Sequence, residues 1–167
     1  MYNFMDTNGY AEGTSLPSEA LKINGVYLEN KVTGYRTLYV KGREMLAPDI
    51  ETYETGVRDG SILQSKRFPA RTITVGYQLI ASSAEAFRAA FNALNAALDV
   101  EEAELIFADE PDKFFIGTPF GRGDVPAGRN AITGEFDILC VDPFKYSAQE
   151  YEVTPTLDDG TTFTIQY

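Results

Sequence analysis

Hydrophobic and polar residues alternate regularly over residues 73–80, and this alternation predicts a β-strand with one buried face. The apolar face consists of Ile73, Val75, Tyr77 and Leu79. Thr72, Thr74 and Gln78 share the opposite, polar face. Gly76 interrupts this face, which indicates either a bulge or a close approach of another group to the backbone. Pro69 cannot donate a ladder hydrogen bond, so a central strand is expected to begin only after it.

The period changes to that of a helix over residues 82–98. Alanine, the strongest helix former, occupies many of these positions. Apolar residues recur at three- and four-residue intervals, as Phe87, Phe91, Leu94 and Leu98. Ser82 followed by Glu85 is a capping-box sequence, which predicts that the helix begins there. Because the polar face lacks the basic residues of a membrane-surface helix, we expect the apolar stripe to pack on a sheet.

Shorter apolar runs between turn residues predict further strands and two hairpins. Asn24-Gly25 lies between two short β-prone runs, which is the strongest local hairpin signal. A second hairpin is predicted about the turn at residues 109–112. Further strands are predicted at residues 35–41, 50–53 and 136–140.

These elements indicate one α+β or mainly β domain in which a single helix covers a sheet. Residues 117–130, which are rich in glycine, proline and arginine, are predicted to form a long exposed loop. We divide the chain into an irregular leader (residues 1–20), a folded domain (residues 21–148) and a terminal part (residues 149–167). The terminal part is either a C-terminal extension or the start of a second domain.

Composition excludes several functional classes. The 167 residues include no histidine, which removes the commonest general base and metal ligand. The single cysteine, Cys140, cannot form an internal disulfide and is expected to be a small buried hydrophobe. No apolar run approaches the roughly 20 residues of a membrane-spanning helix. The net charge of −11 opposes binding to nucleic-acid phosphates, and on a channel wall it would keep passing DNA from adhering.

Carboxylates are the only abundant groups with catalytic potential, and their pattern favours no reaction. They follow the predicted helix and the next strand, as Glu101, Glu102, Glu104, Asp109, Glu110 and Asp112. Nothing marks the pair across a cleft that a glycosidase needs, and the spacing of a calcium loop is missing. We therefore predict no catalytic, cofactor-binding or metal-binding residue.

Arg67 and Arg71 precede and begin the alternating strand. Because they are four residues apart in extended backbone, we expect them to face the same side. Two interpretations stay open. They are either exposed charges that protect a strand edge, or members of an ion pair between subunits or loops, with Asp59 as a candidate partner.

The order of these short motifs resembles the N-terminal, ring-forming domain of siphophage distal tail proteins. The resemblance spans residues 21–146, and it depends on order and spacing because no single motif is specific. The matching motifs are Asn24-Gly25, Arg58-Asp59-Gly60, Arg67, Arg71, the alternating strand, the helix, Leu105-Ile106-Phe107-Ala108-Asp109-Glu110-Pro111 and Asp142-Pro143-Phe144-Lys145-Tyr146.

The resemblance implies a β-sandwich-like domain with one packed α-helix and an extended hairpin arm. Six copies would form a ring that joins the tail tube to the tail-tip hub, with receptor-binding baseplate proteins attached around it. DNA would pass through the channel without specific binding, in a virion tail assembled in the cytoplasm of the bacterial host. No enzymatic activity, cofactor or membrane contact is implied. Such proteins commonly carry a second, often galectin-like, C-terminal domain.

Seven residues are expected to be structural or interface positions: Asp59, Arg67, Arg71, Asp142, Pro143, Phe144 and Tyr146. Pro143 fixes φ where the chain leaves its strand. Phe144 and Tyr146 are expected to dock this exit against the body. If Phe144 is buried, its truncation to alanine should cost about 3–5 kcal/mol.

Two alternative functions remain. A monomeric carbohydrate-binding β-domain would predict a platform of exposed aromatic side chains and stabilisation by sugars. An acidic glycan hydrolase would predict an activity that is lost on removing one aspartate or glutamate.

Overall fold

The computed structural model describes residues 16–57, 59–122, 130–149, 152–153 and 165–166, which lie mostly in β-strands. The strands are β1 (Leu21–Ile23), β2 (Val26–Tyr27), β3 (Tyr35–Lys41), β4 (Asp49–Tyr53), β5 (Ile62–Arg67), β6 (Arg71–Ile80), β7 (Ala103–Phe107), β8 (Glu110–Arg122), β9 (Ala131–Cys140), β10 (Tyr146–Ser147), β11 (Glu152–Val153) and β12 (Ile165–Gln166). The helices are the single turn α1 (Leu28–Lys31) and the longer α2 (Ala84–Leu98). Within the described residues, neither helix has the length and apolar character needed to cross a membrane. The fold class expected from the sequence, α+β or mainly β, is confirmed.

Strand β8 joins two halves of the main sheet. Its first half pairs with β7, where Phe115 lies opposite Leu105, and its second half pairs with β9, where Thr118 lies opposite Leu139. The order is β2-β1-β7-β8-β9-β6-β3, β10 also pairs with β8, and each of these pairings is antiparallel. A strand that exchanges partners along its length forms the corner between two packed sheet halves, which gives a β-sandwich-like body.

The hydrophobic core combines side chains from both sheet halves and from α2. The alternating strand is β6, and its apolar face is buried as the alternation predicted. Phe115 and Phe136, from β8 and β9, are almost completely buried in the same cluster. Phe87, Leu94 and Leu98 of α2 join this cluster, which confirms that the apolar stripe packs on the sheet.

Helix α2 begins one residue later than its capping box predicted. Ser83, in extended conformation, is the N-cap, and its hydroxyl oxygen accepts the backbone N–H of Ala86 at 3.1 Å. The prediction of Ser82 as the cap was wrong because two adjacent serines offer alternative caps. Glu85 does lie in the first turn, where a carboxylate interacts favourably with the helix dipole.

Two glycine signals in the sequence correspond to specific backbone features. A Cβ on Gly76 would come within 2.3 Å of the Tyr39 ring, so this glycine allows the close approach that its position predicted. The register of β3 also shifts beside it. Asn24 and Gly25 have φ values of 46° and 87°, as an Asn-Gly turn requires, and they connect β1 and β2 in the predicted hairpin.

The long loop predicted at residues 117–130 is wrong over its first six residues. Strand β8 continues to Arg122, and Gly117 and Pro119 are buried within the sheet. A side chain on Gly117 would meet Ile138 at 2.7 Å, so glycine is needed there for close packing. Pro119 precedes a register shift, where a strand tolerates a residue without an N–H donor. Residues 123–129 of the predicted loop lie outside the described residues.

Candidate functional site

Strands β4 and β5 form a hairpin that stands apart from the main sheet. They pair with each other, from Asp49 opposite Arg67 to Tyr53 opposite Ile62, as a separate two-stranded sheet. Every residue of both strands is exposed. A two-stranded hairpin with neither face covered is marginally stable in water. We refer to residues 49–67 as the arm, which corresponds to the extended hairpin arm that the resemblance implied.

The arm carries an ion pair and a polar contact near the body, where Ile50 is also exposed, and most of its exposed apolar side chains lie toward the far end. Next to the body, Asp49 and Arg67 form an ion pair of 3.4 Å, and Ser65 Oγ donates to the Glu51 carboxylate at 2.9 Å. Toward the connecting turn, the exposed apolar side chains are Tyr53, Val57, Ile62 and Leu63. Apolar side chains grouped at the exposed end of an uncovered element indicate a surface for another molecule.

Arg71 is buried where the arm joins the body, with only 8% of its surface exposed. Its Nε donates to the Pro143 carbonyl at 3.0 Å, and its Nη1 donates to the carbonyls of Gly42 at 2.8 Å and Glu44 at 3.4 Å. The guanidinium also lies over the Phe115 ring, 5.2 Å from its centroid. Gly42 and Glu44 lead into the arm and Arg71 follows it, so one side chain ties both ends of the arm to the body.

A second arginine, Arg43, stabilises the same junction through carboxylates. Its Nη1 and Nη2 donate to the two Asp109 oxygens at 2.7 and 2.8 Å, and Nη2 also donates to Glu19 at 3.0 Å. The guanidinium lies 4.3 Å from the centroid of the Phe107 ring. The sequence analysis missed Arg43, because a lone arginine after a glycine carries no pattern that reveals distant partners.

The exit segment, residues 142–146, interrupts a strand that runs beside β8. Strands β9 and β10 pair with the same edge of β8, since β7 occupies the other edge. Within the break, Asp142 Oδ1 accepts the backbone N–H of Phe144 at 3.0 Å, and the Tyr146 hydroxyl donates to the Asp142 carboxylate. These hydrogen bonds lower the pKa of Asp142, and the bond to Asp142 raises the pKa of Tyr146. The segment is therefore fixed by its own side chains.

The exit segment contacts two other parts of the molecule, strand β8 and the residue that follows β5. The Tyr146 ring stacks on Phe114 of β8, with 5.6 Å between centroids, as expected for docking against the body. The Phe144 ring instead meets Phe68, the residue that follows β5, at 5.5 Å and 77°. Phe144 is 50% exposed, so the truncation cost estimated for a buried phenylalanine does not apply to it. Pro143 is the buried residue of this segment.

The expectation that Arg67 and Arg71 face the same side is wrong. The Arg67 side chain is 78% exposed on the arm, whereas Arg71 lies beneath the exit segment. Residues 68–70 separate β5 from β6, so the two arginines do not share one strand. Within one chain, neither arginine pairs with Asp59 among the described contacts, since Arg67 pairs with Asp49 and Arg71 binds backbone carbonyls. A pairing with Asp59 between subunits stays a prediction. Asp59 lies exposed in the turn of the arm.

The free edge of β3 is blocked by carboxylates. Glu29 Oε1 accepts the N–H of Thr37 at 3.0 Å, and Glu19 Oε2 accepts the N–H of Val40 at 3.1 Å. These side chains occupy the backbone donors that an added strand would need. Among the described residues, no side chain forms a hydrogen bond to the backbone at the outer edges of the arm.

Cys140 has the character expected of a buried hydrophobe. It is fully buried, and burial raises the pKa of its thiol to about 11, although the charge of Arg71 opposes the shift. In the described part of the chain, no group of three or more cysteine, aspartate or glutamate residues is arranged to hold a metal ion.

Within the described residues, the exposed aromatic side chains lie on several elements, whereas the carbohydrate-binding alternative predicts one platform. Among the described residues, Tyr53 lies on the arm and Phe120 lies on β8. Phe144 and Phe68 meet edge to face, and Tyr146 stacks on Phe114, so these three exposed rings already contact other aromatic rings. A sugar is bound most readily by aromatic faces that point into one cleft beside polar groups.

Comparison with known proteins gives a family match and a structural likeness. Residues 40–139, more than half of the chain, match the family model of the phage tail protein RIFT-related domain. The crystal structure of the Dit protein (gp 19.1) of phage SPP1 aligns with a TM-score of 0.70 at 19% sequence identity. That protein is described as a paradigm of the hub adsorption apparatus in phages that infect Gram-positive bacteria. The alignment covers 82% of this chain but 55% of the SPP1 protein, and no curated protein matches the sequence.

The two arginines give a matched pair of substitutions. Arg71→Ala should lower the free energy of unfolding by about 2–4 kcal/mol, because charged hydrogen bonds to the buried Pro143 carbonyl and to the part-buried carbonyls of Gly42 and Glu44 are lost. Arg67→Ala should lower it by less than about 1 kcal/mol, because the ion pair with Asp49 is exposed. Urea denaturation followed by circular dichroism measures both values. Equal losses would contradict the assignment of Arg71 as the residue that ties the arm to the body.

Acid should weaken the junction through Asp109. Burial alone would raise the pKa of this carboxyl, but the hydrogen bonds and charge of Arg43 outweigh it, and the pKa is lowered. The stabilising contribution is therefore present above the unfolded pKa and disappears as the pH falls through the lower folded value. Between about pH 5 and pH 2, wild type should lose more unfolding free energy than Asp109→Asn. Asp112→Asn, at an exposed carboxylate nearby, should behave like wild type; parallel profiles for all three would contradict the prediction.

Proposed function

We propose that this chain, which belongs to the family of phage tail proteins with a RIFT-related domain, forms a ring adaptor in the distal tail of a siphophage. Its family and fold are those of a structural component of a phage tail. The finer role proposed is to join the tail tube to the tail-tip hub, with six copies in the ring. This role requires neither catalysis nor a cofactor.

The uncovered arm is the observation that carries the proposal. It extends from the body with exposed strands and an apolar far end, which is unfavourable in a protein that stays alone in water. Packing the far end of one arm on the next copy would bury those side chains. If each arm packs on a different part of the next copy without a reciprocal exchange, the contact is head to tail, and such contacts close into a ring when the rotation between copies closes.

Strand addition offers a second contribution to the same contact. The outer edges of β4 and β5 present backbone donors and acceptors, whereas the free edge of β3 is blocked by Glu19 and Glu29. An extended segment of a neighbouring copy can pair with an open edge of the arm. The distribution of blocked and open edges therefore favours the arm over β3 as the site of contact.

The proposed ring has separate partners on its two faces. The tail tube would meet one face and the tail-tip hub the other, while receptor-binding baseplate proteins would attach around the ring. DNA would pass through the central channel without specific binding, because a chain of net charge −11 repels phosphate. The ring would belong to the virion tail and be assembled in the cytoplasm of the bacterial host.

We propose residues 21–148 as the ring-forming domain, preceded by a leader at residues 1–20. Residues 149–167 would be an extension or the start of a second domain. The chain spans about half the length of the SPP1 protein, so functions of the remainder of that protein are not assigned to this domain. On the N-terminal side, Ala20 is fully buried and Glu19 contacts Arg43, so the folded part includes at least these two leader residues.

The test is the solution mass over a concentration series, with negative-stain imaging of the largest species. We expect a ring of about 111 kDa, six times the 18.5 kDa of one chain. Leu63→Asp should weaken assembly at least about tenfold, because it places a charge on the apolar end of the arm. The same variant should unfold within about 0.5 kcal/mol of wild type, because Leu63 is exposed in the single chain.

Asn92→Asp, which adds the same charge on the exposed side of α2, is the matched control and should assemble like wild type. A ring that forms equally well with Leu63→Asp would contradict the role of the arm. A protein that stays monomeric at every concentration would contradict ring formation by this chain alone.

A further inference from the structure

Phe68, at the base of the arm, and Phe144, in the exit segment, form an aromatic contact. Their centroids lie 5.5 Å apart with the ring planes at 77°, an edge-to-face geometry that aromatic pairs favour. Phe68 directly follows β5, and Phe144 lies in the exit segment, so the two rings belong to different parts of the fold. Both rings remain partly exposed, which separates this contact from the hydrophobic core.

On the body side, Phe144 is fixed by contacts that do not involve the arm strands. Its backbone N–H is bound by Asp142, whose carboxylate also accepts the Tyr146 hydroxyl. Tyr146 stacks on Phe114, and the carbonyl of Pro143 is bound by Arg71. These contacts therefore hold the Phe144 ring in a fixed position on the body.

On the arm side, few contacts set the direction of the hairpin. Among the described residues, the arm makes no hydrogen bond or ion pair to the body; its polar contacts join β4 to β5. The chain enters through an irregular stretch in which Met45 is 98% exposed, and it leaves through the exposed residues 68–70. Arg71 fixes where these two connections begin and end, but it does not fix the angle at which the arm projects.

We propose that the exit segment is a latch that sets the direction of the arm before assembly. Phe144 is the positioning residue, and Phe68, which directly follows the last strand of the arm, is the residue that it orients. The Lys66 ammonium lies over the Phe68 ring, 5.3 Å from its centroid, and helps to confine the ring. The latch explains why an aromatic residue stands exposed beside the strand break.

The consequence for assembly rests on the proposed function. A partner binds only the fraction of molecules whose arm already points in the correct direction, so the apparent affinity falls in proportion to that fraction. An edge-to-face aromatic pair changes the equilibrium between the correct direction of the arm and other directions by about 2- to 10-fold. Loss of the latch should therefore raise the concentration at half assembly by about 2- to 10-fold without unfolding the body.

The test measures the direction of the arm in single chains. Spin labels on Val57→Cys, at the end of the arm, and Asn92→Cys, on α2, report the distance by pulsed electron resonance. The Leu63→Asp background keeps the chains from assembling, and native Cys140 is buried and protonated, so it should not be labelled. We expect one narrow distance distribution, which Phe144→Ala and Phe68→Ala each broaden.

Phe120→Ala removes an equally exposed ring from β8 and is the matched control, which should leave the distribution narrow. The double variant Phe68→Ala/Phe144→Ala should be no broader than either single variant, since both substitutions remove one contact. A distribution that stays narrow in Phe144→Ala, or that is already broad in the parent, would overturn the latch. Because the distances are read in monomers, they judge the latch even if ring formation fails.

Discussion

The junction between body and arm depends on one buried guanidinium. Arg71 has no carboxylate among its hydrogen-bond partners, and it binds the carbonyls of Gly42, Glu44 and Pro143. These carbonyls come from the chain entering the arm and from the exit segment, which are distant in sequence. A buried charge is tolerated only when its donors are satisfied, so these three backbone positions are fixed relative to one another. An uncovered hairpin can then project from a defined point.

The sequence predicted the features that arise from local periodicity. The alternation of β6, the helix of α2 and the Asn-Gly turn each reflect a repeating or local constraint, and each is confirmed. The resemblance to siphophage distal tail proteins is also confirmed by the family match and by the shared fold. Order and spacing of weak motifs were sufficient to identify the family, because a fold fixes the distances between its turns and strands.

Other features could not be predicted, because they depend on contacts between distant residues. Gly117 and Pro119 are residues typical of a loop. Their place in a strand depends on close packing against Ile138 and on the register shift beside Pro119. Arg71 and Arg67 appear equivalent in sequence, yet Arg71 binds backbone carbonyls and Arg67 pairs with a carboxylate. Backbone carbonyls occur at every position, so a pattern of side chains does not reveal them as partners. Phe144 was expected to dock on the body, but its partner is Phe68 at the base of the arm.

The most direct test of the central claim, that another copy covers the arm, is hydrogen–deuterium exchange of the arm amides. In assembled wild type, we predict that amides of β4 and β5 exchange at least about tenfold more slowly than in the monomeric Leu63→Asp variant. Amides of β6, which is paired on both sides within one chain, should be slow in both samples. Equal exchange of the arm in both samples would contradict the claim, because the arm would then be uncovered in the assembly as well.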